Sequence, residues 1–155
     1  LEPDETALAC LAREAQEELG IGLEVASAPR TYIVYEQQLT TALALEPRAH
    51  PRPALLTVSR NLYRQDELAY PTLAIVTFRA RMLGEPALHD LYGLVAVPLQ
   101  ALWTLLQQEE MQLDALKSWP GVRLRTQTPL PKDSVLVPVW TGRSLQRLAQ
   151  TSIRL

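Results

Sequence analysis

The chain has 155 residues, a formal net charge of −2, and 47% hydrophobic against 21% charged residues, enough for one domain with a sizeable core. That balance leaves no broad basic field to draw a nucleic-acid polymer, and no apolar run approaches the roughly 20 residues of a membrane span. Cys10 is the only cysteine, which excludes an internal disulfide framework and suits a reducing compartment, so a cytoplasmic location is the expectation.

In chain order, Pro3 and Asp4 form a turn signal and Thr6 is a helix N-cap candidate. Ala7 to Leu19 is built from good helix formers. Leu8, Leu11, Ala12, Ala15 and Leu19 recur at the spacing of a core-facing stripe. Gly20 stands where a left-handed residue ends such a helix. Glu14, Glu17 and Glu18 are related by three and four positions and share one face. Like charges at that spacing repel by roughly a few tenths of a kcal/mol per pair, so the arrangement gains from a cation among the carboxylates. Hard divalent cations such as Mg²⁺ take oxygen ligands and are shared with substrate phosphates. The plain alternative is a solvated acidic face, with Arg13 and Glu17 as an (i, i+4) ion pair. On this helix Cys10 fits a small buried residue better than a nucleophile.

Ile21 to Ala26 alternates like a short strand, and Arg30 to Tyr35 is a strand candidate rich in β-branched and aromatic residues. Gln37 to Glu46 is ambiguous between strand and helix. Pro47, Pro51 and Pro53 mark a loop around His50, and Ala54 to Val58 is a further strand candidate. Tyr70 to Met82 has the pattern of one central strand, turned at Gly84-Glu85-Pro86. Leu91 to Val97 is a strand that runs through Pro98 into a helix over Leu99 to Leu106, with an extension towards Leu116. Trp119 to Asp133 is proline-rich and loop-like. Val135 to Trp140 is a strand candidate, and Ser144 to Ala149 a terminal helix. Trp103 and Trp119 fit core or interface positions, while Trp140 either packs or lines a pocket. Gln37 to Pro71 is a candidate specificity or homodimer element. His50 and His89 show no zinc-ligand spacing, and no serine triad, phosphate-binding glycine loop or dinucleotide fingerprint is legible.

Glu5, Arg13, Glu14, Glu17, Glu18, Gly20 and Ile21 stand in register with a known signature: Gly, five residues, Glu, seven residues, Arg-Glu, an aliphatic, any residue, Glu-Glu, any residue, Gly, an aliphatic. The segment thereby resembles the Nudix hydrolases. Ala15 takes the aliphatic place after Arg-Glu, and the leading glycine falls ahead of Leu1. The six fixed matches arise by chance on the order of once in 10^5 chains of this length. The Val97-Pro98-Leu99 step resembles, more weakly, the family's later passage from strand to helix.

The resemblance implies an α/β (α+β) fold, an α/β/α sandwich with a mixed central sheet. It would make residues 1–155 a single domain with a strand–helix extension over about 118–155. It also implies strands and a glycine-rich loop ahead of the motif helix, so a native piece preceding Leu1 is expected. By resemblance, Glu14, Glu17 and Glu18 hold Mg²⁺ or Mn²⁺, and Arg13 pairs with Glu5 to brace the catalytic loop. The resemblance also implies an acid shortly before the later strand that contributes to metal binding or base catalysis; the nearest acids are Glu85 and Asp90, with Asp90 the candidate and a solvated turn acid the plain alternative. The implied activity is metal-dependent cleavage of the pyrophosphate bond in a nucleoside diphosphate linked to another moiety. Arg30, Arg60, Arg79 and Arg81 are candidates for holding its phosphates, because guanidinium matches phosphate geometry. The rival expectation is a catalytically inactive Nudix-fold module that binds a nucleotide or a protein.

Overall fold

A computed structural model describes residues 4–36, 38–43, 50–60, 72–151, 153 and 155. Its elements run α1 (Ala7–Leu19), β1 (Leu23–Ala26), β2 (Thr31–Tyr35), β3 (Gln38–Leu43), β4 (Leu55–Arg60), β5 (Thr72–Thr77), β6 (Arg79–Met82), β7 (Gly93–Ala96), α2 (Leu99–Leu105), β8 (Met111–Gln112), α3 (Leu113–Lys117), β9 (Arg123–Thr126), β10 (Val135–Leu136) and α4 (Thr141–Gln150). The fold is therefore mixed α+β, with four helices among the described residues. Packing divides it into two units, Leu1–Glu24 with Ala80–Val137, and Val25–Arg79 with Pro138–Leu155. β1 pairs with β6.

The second unit holds a mixed sheet in the order β3-β2-β4-β5. β2 runs parallel to β4, matching Tyr32 with Leu55 and Val34 with Thr57, while β3 and β5 pair antiparallel on the outer sides. The ambiguity over Gln37 to Glu46 resolves as strand for Gln38–Leu43, because β3 completes the ladder against β2. Residues 37, 44–49 and 61–71 lie outside the described set, so much of the proposed specificity or dimer element does too. Val34, Leu55 and Leu148 are fully buried, with Tyr32, Leu39, Leu145, Ile153 and Leu155 packed around them. The terminal helix is thus fastened to the sheet by Leu145 and Leu148, three positions apart on one face. Within this packing the Thr57 hydroxyl donates to Ser144 Oγ at 2.7 Å, buried, so these two core hydroxyls satisfy each other, whereas the buried Thr77 Oγ1 has no hydrogen-bond partner among the described residues.

The first unit contains α1, the antiparallel pair β7–β9, the short pair β8–β10, and α2 and α3. Trp103 and Leu105 of α2, with Leu113 and Leu116 of α3, are buried, as the apolar spacing of those segments requires. Trp119 is half-buried.

Four sequence expectations change. Tyr70 to Met82 is not one central strand: β5 and β6 separate at Phe78, because β5 pairs with β4 at the sheet's outer side while β6 pairs with β1. Tyr70 and Pro71 lie outside the described residues. The second helix does not continue to Leu116: the chain turns after Leu106, pairs Met111–Gln112 with β10, and restarts as α3. Arg123–Thr126 is a strand inside a segment whose prolines suggested only loop, since its alternating side chains pair with β7 from Gly93↔Thr126 to Ala96↔Arg123. The strand beginning at Val135 ends at Leu136, ahead of Pro138, which has no N–H to extend a ladder. No helix among the described residues is long and apolar enough to cross a membrane.

Candidate functional site

The carboxylate helix is built by local chemistry. Thr6 is the N-cap, its Oγ1 accepting from the Ala9 N–H at 3.2 Å. Gly20 closes the other end at φ +65°, its N–H bonded to Gln16 O at 3.0 Å. Ala15 is buried, Leu8, Leu11 and Leu19 are half-buried, and Ala12 is exposed at the edge of the covered stripe rather than within it. Cys10 is half-buried, with its Sγ 3.8 Å from Arg13 Nη2.

Arg13 organises the acidic face. Its Nε and Nη2 reach the two oxygens of Glu5 at 3.0 and 3.2 Å, a bidentate fork on a carboxylate only 11% exposed. Its Nη1 simultaneously meets Glu14 Oε1 at 2.7 Å and Glu17 Oε2 at 2.9 Å. Hydrogen bonding to Glu5 above all, opposed by some desolvation and reinforced by Glu14 and Glu17, pushes the guanidinium's already high pKa further up. Arg13 therefore stays cationic wherever the chain is folded. Both sequence readings of Arg13, the pair with Glu5 and the pair with Glu17, are present together. The Glu18 side chain is half-buried on the same face and has no ion-pair partner among the described residues.

The donor chemistry fits a hard divalent cation. Glu14 and Glu17 already converge on a single positively charged atom, Arg13 Nη1, and carboxylate oxygens are the ligands Mg²⁺ and Mn²⁺ take. Their side chains are 45% and 53% exposed and both remain tethered to Arg13. As they stand, no three acidic, histidine or cysteine side chains among the described residues converge closely enough to hold an ion. The fit therefore lies in the donor set and its shared helix face, with Glu14 and Glu17 drawn to Arg13.

A second segment meets the end of this helix. The His89 N–H donates to Glu18 O at 3.1 Å and the Ala87 N–H to Leu19 O at 2.8 Å, satisfying two carbonyls that the helix terminus leaves orphaned. Strand β9 holds that segment in place: Arg125 Nη1 donates to Pro86 O at 2.8 Å, and Gln127 Nε2 to the carbonyls of His89 and Leu91 at 2.9 and 3.0 Å. The exposed acids Glu85 and Asp90 belong to this stretch. The sequence marked Asp90 as a candidate but carried no sign of the anchoring by His89, Arg125 and Gln127. Those partners lie 71 to 109 residues beyond Glu18, and nothing local announces them.

Gly20 serves both features. A Cβ placed there would lie 2.8 Å from His89 Cε1, and a φ of +65° is a left-handed conformation that favours glycine. Gly20→Ala is expected to destabilise the protein by about 1–2 kcal/mol through the left-handed backbone, with displacement of His89 in addition. A denaturation midpoint equal to that of the native sequence would contradict this account.

Of the four arginines considered for phosphates, Arg81 is engaged with Glu24, and Arg60 is exposed at the end of β4. Arg30 and Arg79 belong to the second unit. No family model matches the chain, and no curated protein or solved structure matches it either.

Proposed function

We propose that the chain is a Nudix-type hydrolase that cleaves the pyrophosphate bond of a nucleoside diphosphate linked to another moiety, with Mg²⁺ or Mn²⁺ held by Glu14, Glu17 and Glu18. The observation that carries this reading is the Glu5–Arg13 fork, whose remaining nitrogen gathers Glu14 and Glu17 on one helix face. When bound, the divalent ion would neutralise pyrophosphate charge and lower the pKa of a water. The protein's own part is positional. Glu5 fixes Arg13, Arg13 limits the swing of Glu14 and Glu17, and the Thr6 and Gly20 caps hold all of them in helical register. The general base would be either a glutamate of the motif helix, for which Glu18 has no competing cation among the described residues, or an acid on a later segment, for which Asp90 is the candidate.

Incubating the protein with a panel of nucleoside diphosphate derivatives is expected to release phosphate-containing products with Mg²⁺ or Mn²⁺ present and none after chelation with EDTA. Complete inactivity across the panel with either ion would defeat the hydrolase reading. A second reading, a binding module without catalysis, draws on Arg13 Nη1 standing between Glu14 and Glu17, where the carboxylates already have a cation. Nucleotide binding without turnover in both metals would favour it.

A further inference from the structure

The second unit contains a cavity of about 190 Å³. Its walls are made small by Ala28, Pro29 and Ala54, and Arg30 and Arg79 both line it. Tyr32 and Leu155, which pack on the Val34–Leu55–Leu148 core, supply the rest of the lining. The cavity is braced from behind its backbone: Arg52 Nη1 donates to the carbonyls of Ala28 and Pro29, and the Ala28 N–H donates to Arg52 O at 3.0 Å. Arg52 thus shapes the wall, while Arg30 and Arg79 are the two charged residues that line the space.

Arg13 and Arg81 are each met by glutamates, but neither Arg30 nor Arg79 has a carboxylate partner among the described residues. Both side chains are exposed and solvent screens their mutual repulsion, yet two guanidinium groups lining one cavity still favour an anion there. Guanidinium nitrogens in a planar fork match the oxygens of phosphate better than those of a spherical anion. The volume sets an upper bound on the ligand, because pockets for drug-sized molecules run to roughly 300–1,000 Å³. A phosphate or pyrophosphate group fits, with space for one small organic group against Tyr32.

We propose that Arg30 and Arg79 form a binding site for a phosphate-bearing anion, either free or as a small phosphate ester, within the second unit. The site stands apart from the hydrolase reading, since it needs neither a divalent cation nor the carboxylates of α1. The ester differs from the free anion only in using the Tyr32 ring as an apolar wall.

Calorimetric titration of the full chain in EDTA, with inorganic pyrophosphate and with phenyl phosphate as probes, tests this. Binding of at least one probe is expected, weakened tenfold or more in Arg30→Gln and in Arg79→Gln and weakened by added salt. Arg30→Lys should recover part of the affinity by restoring charge without the fork, a recovery that a general loss of folding would not allow. Glu17→Gln should leave binding unchanged, which keeps this result separate from any outcome at the carboxylate helix. Tighter binding of phenyl phosphate, with the advantage lost in Tyr32→Leu, assigns the site to an ester; binding of pyrophosphate at least as tight assigns it to the free anion. If neither probe binds the native sequence, or if both glutamine variants bind as it does, the site does not exist.

Discussion

Under the proposed hydrolase function, Glu17→Gln is expected to lower metal-dependent hydrolysis on the order of 10^3-fold, because loss of a charge proposed to ligate the metal would remove several kcal/mol of transition-state stabilisation. The substitution keeps the side chain's volume and its place three positions after Glu14, so little else changes. Glu17 is 53% exposed and its contact with Arg13 is a surface (i, i+4) ion pair, a class of interaction that contributes little to stability. Circular dichroism and the melting temperature should therefore remain those of the native sequence while the rate falls. The contrast with Glu5 is instructive: its carboxylate is 11% exposed and doubly bonded to Arg13, so Glu5→Gln is expected to disturb the brace as well as the rate. A Glu17→Gln enzyme that turns over at the native rate would remove the metal assignment and leave the acidic face as solvated surface.

Leu148→Ala is expected to destabilise the protein by about 2–5 kcal/mol, the range for emptying a fully buried leucine site. Leu148 has no exposed surface and joins Val34 of β2 and Leu55 of β4 in the core of the second unit. The site has little freedom to collapse. Val34 and Leu55 are fixed by the parallel β2–β4 ladder, and α4 is held near them by the buried Thr57–Ser144 hydrogen bond. Urea denaturation should show the loss directly, with the far-UV spectrum of the folded state retained. A change below about 1 kcal/mol, typical of surface substitutions, would mean that α4 does not bury Leu148 in this core.

The motif helix was legible in the sequence almost to the residue. Thr6 as N-cap, Ala7 to Leu19 as helix and Gly20 as the left-handed stop all stand where local propensity places them. The strand at Arg30 to Tyr35 and the terminal helix were legible for the same reason, with boundaries displaced by one to three residues. Elsewhere local signals misled. The prolines around Arg123 to Thr126 masked a strand, and the continuous apolar character of Tyr70 to Met82 concealed its division between two ladders. Short strands carry few residues of pattern, and their identity depends on a distant partner, 33 residues away in sequence for Gly93 and Thr126.

The candidate sites divide in the same way. By itself, the sequence determined that Glu14, Glu17 and Glu18 share a face with Arg13 beside them, because helical periodicity acts over three and four residues and needs no other part of the chain. Only the tertiary structure decided that Pro86 to Asp90 caps that helix and that Arg125 and Gln127 hold it there. Only the tertiary structure, likewise, separated the arginines, giving Arg81 to Glu24 and bringing Arg30 and Arg79 to one cavity. The reason is physical: caps and helix faces are fixed by bonds within a turn or two, whereas cavities and loop anchors arise where distant segments fill, or fail to fill, the space between them.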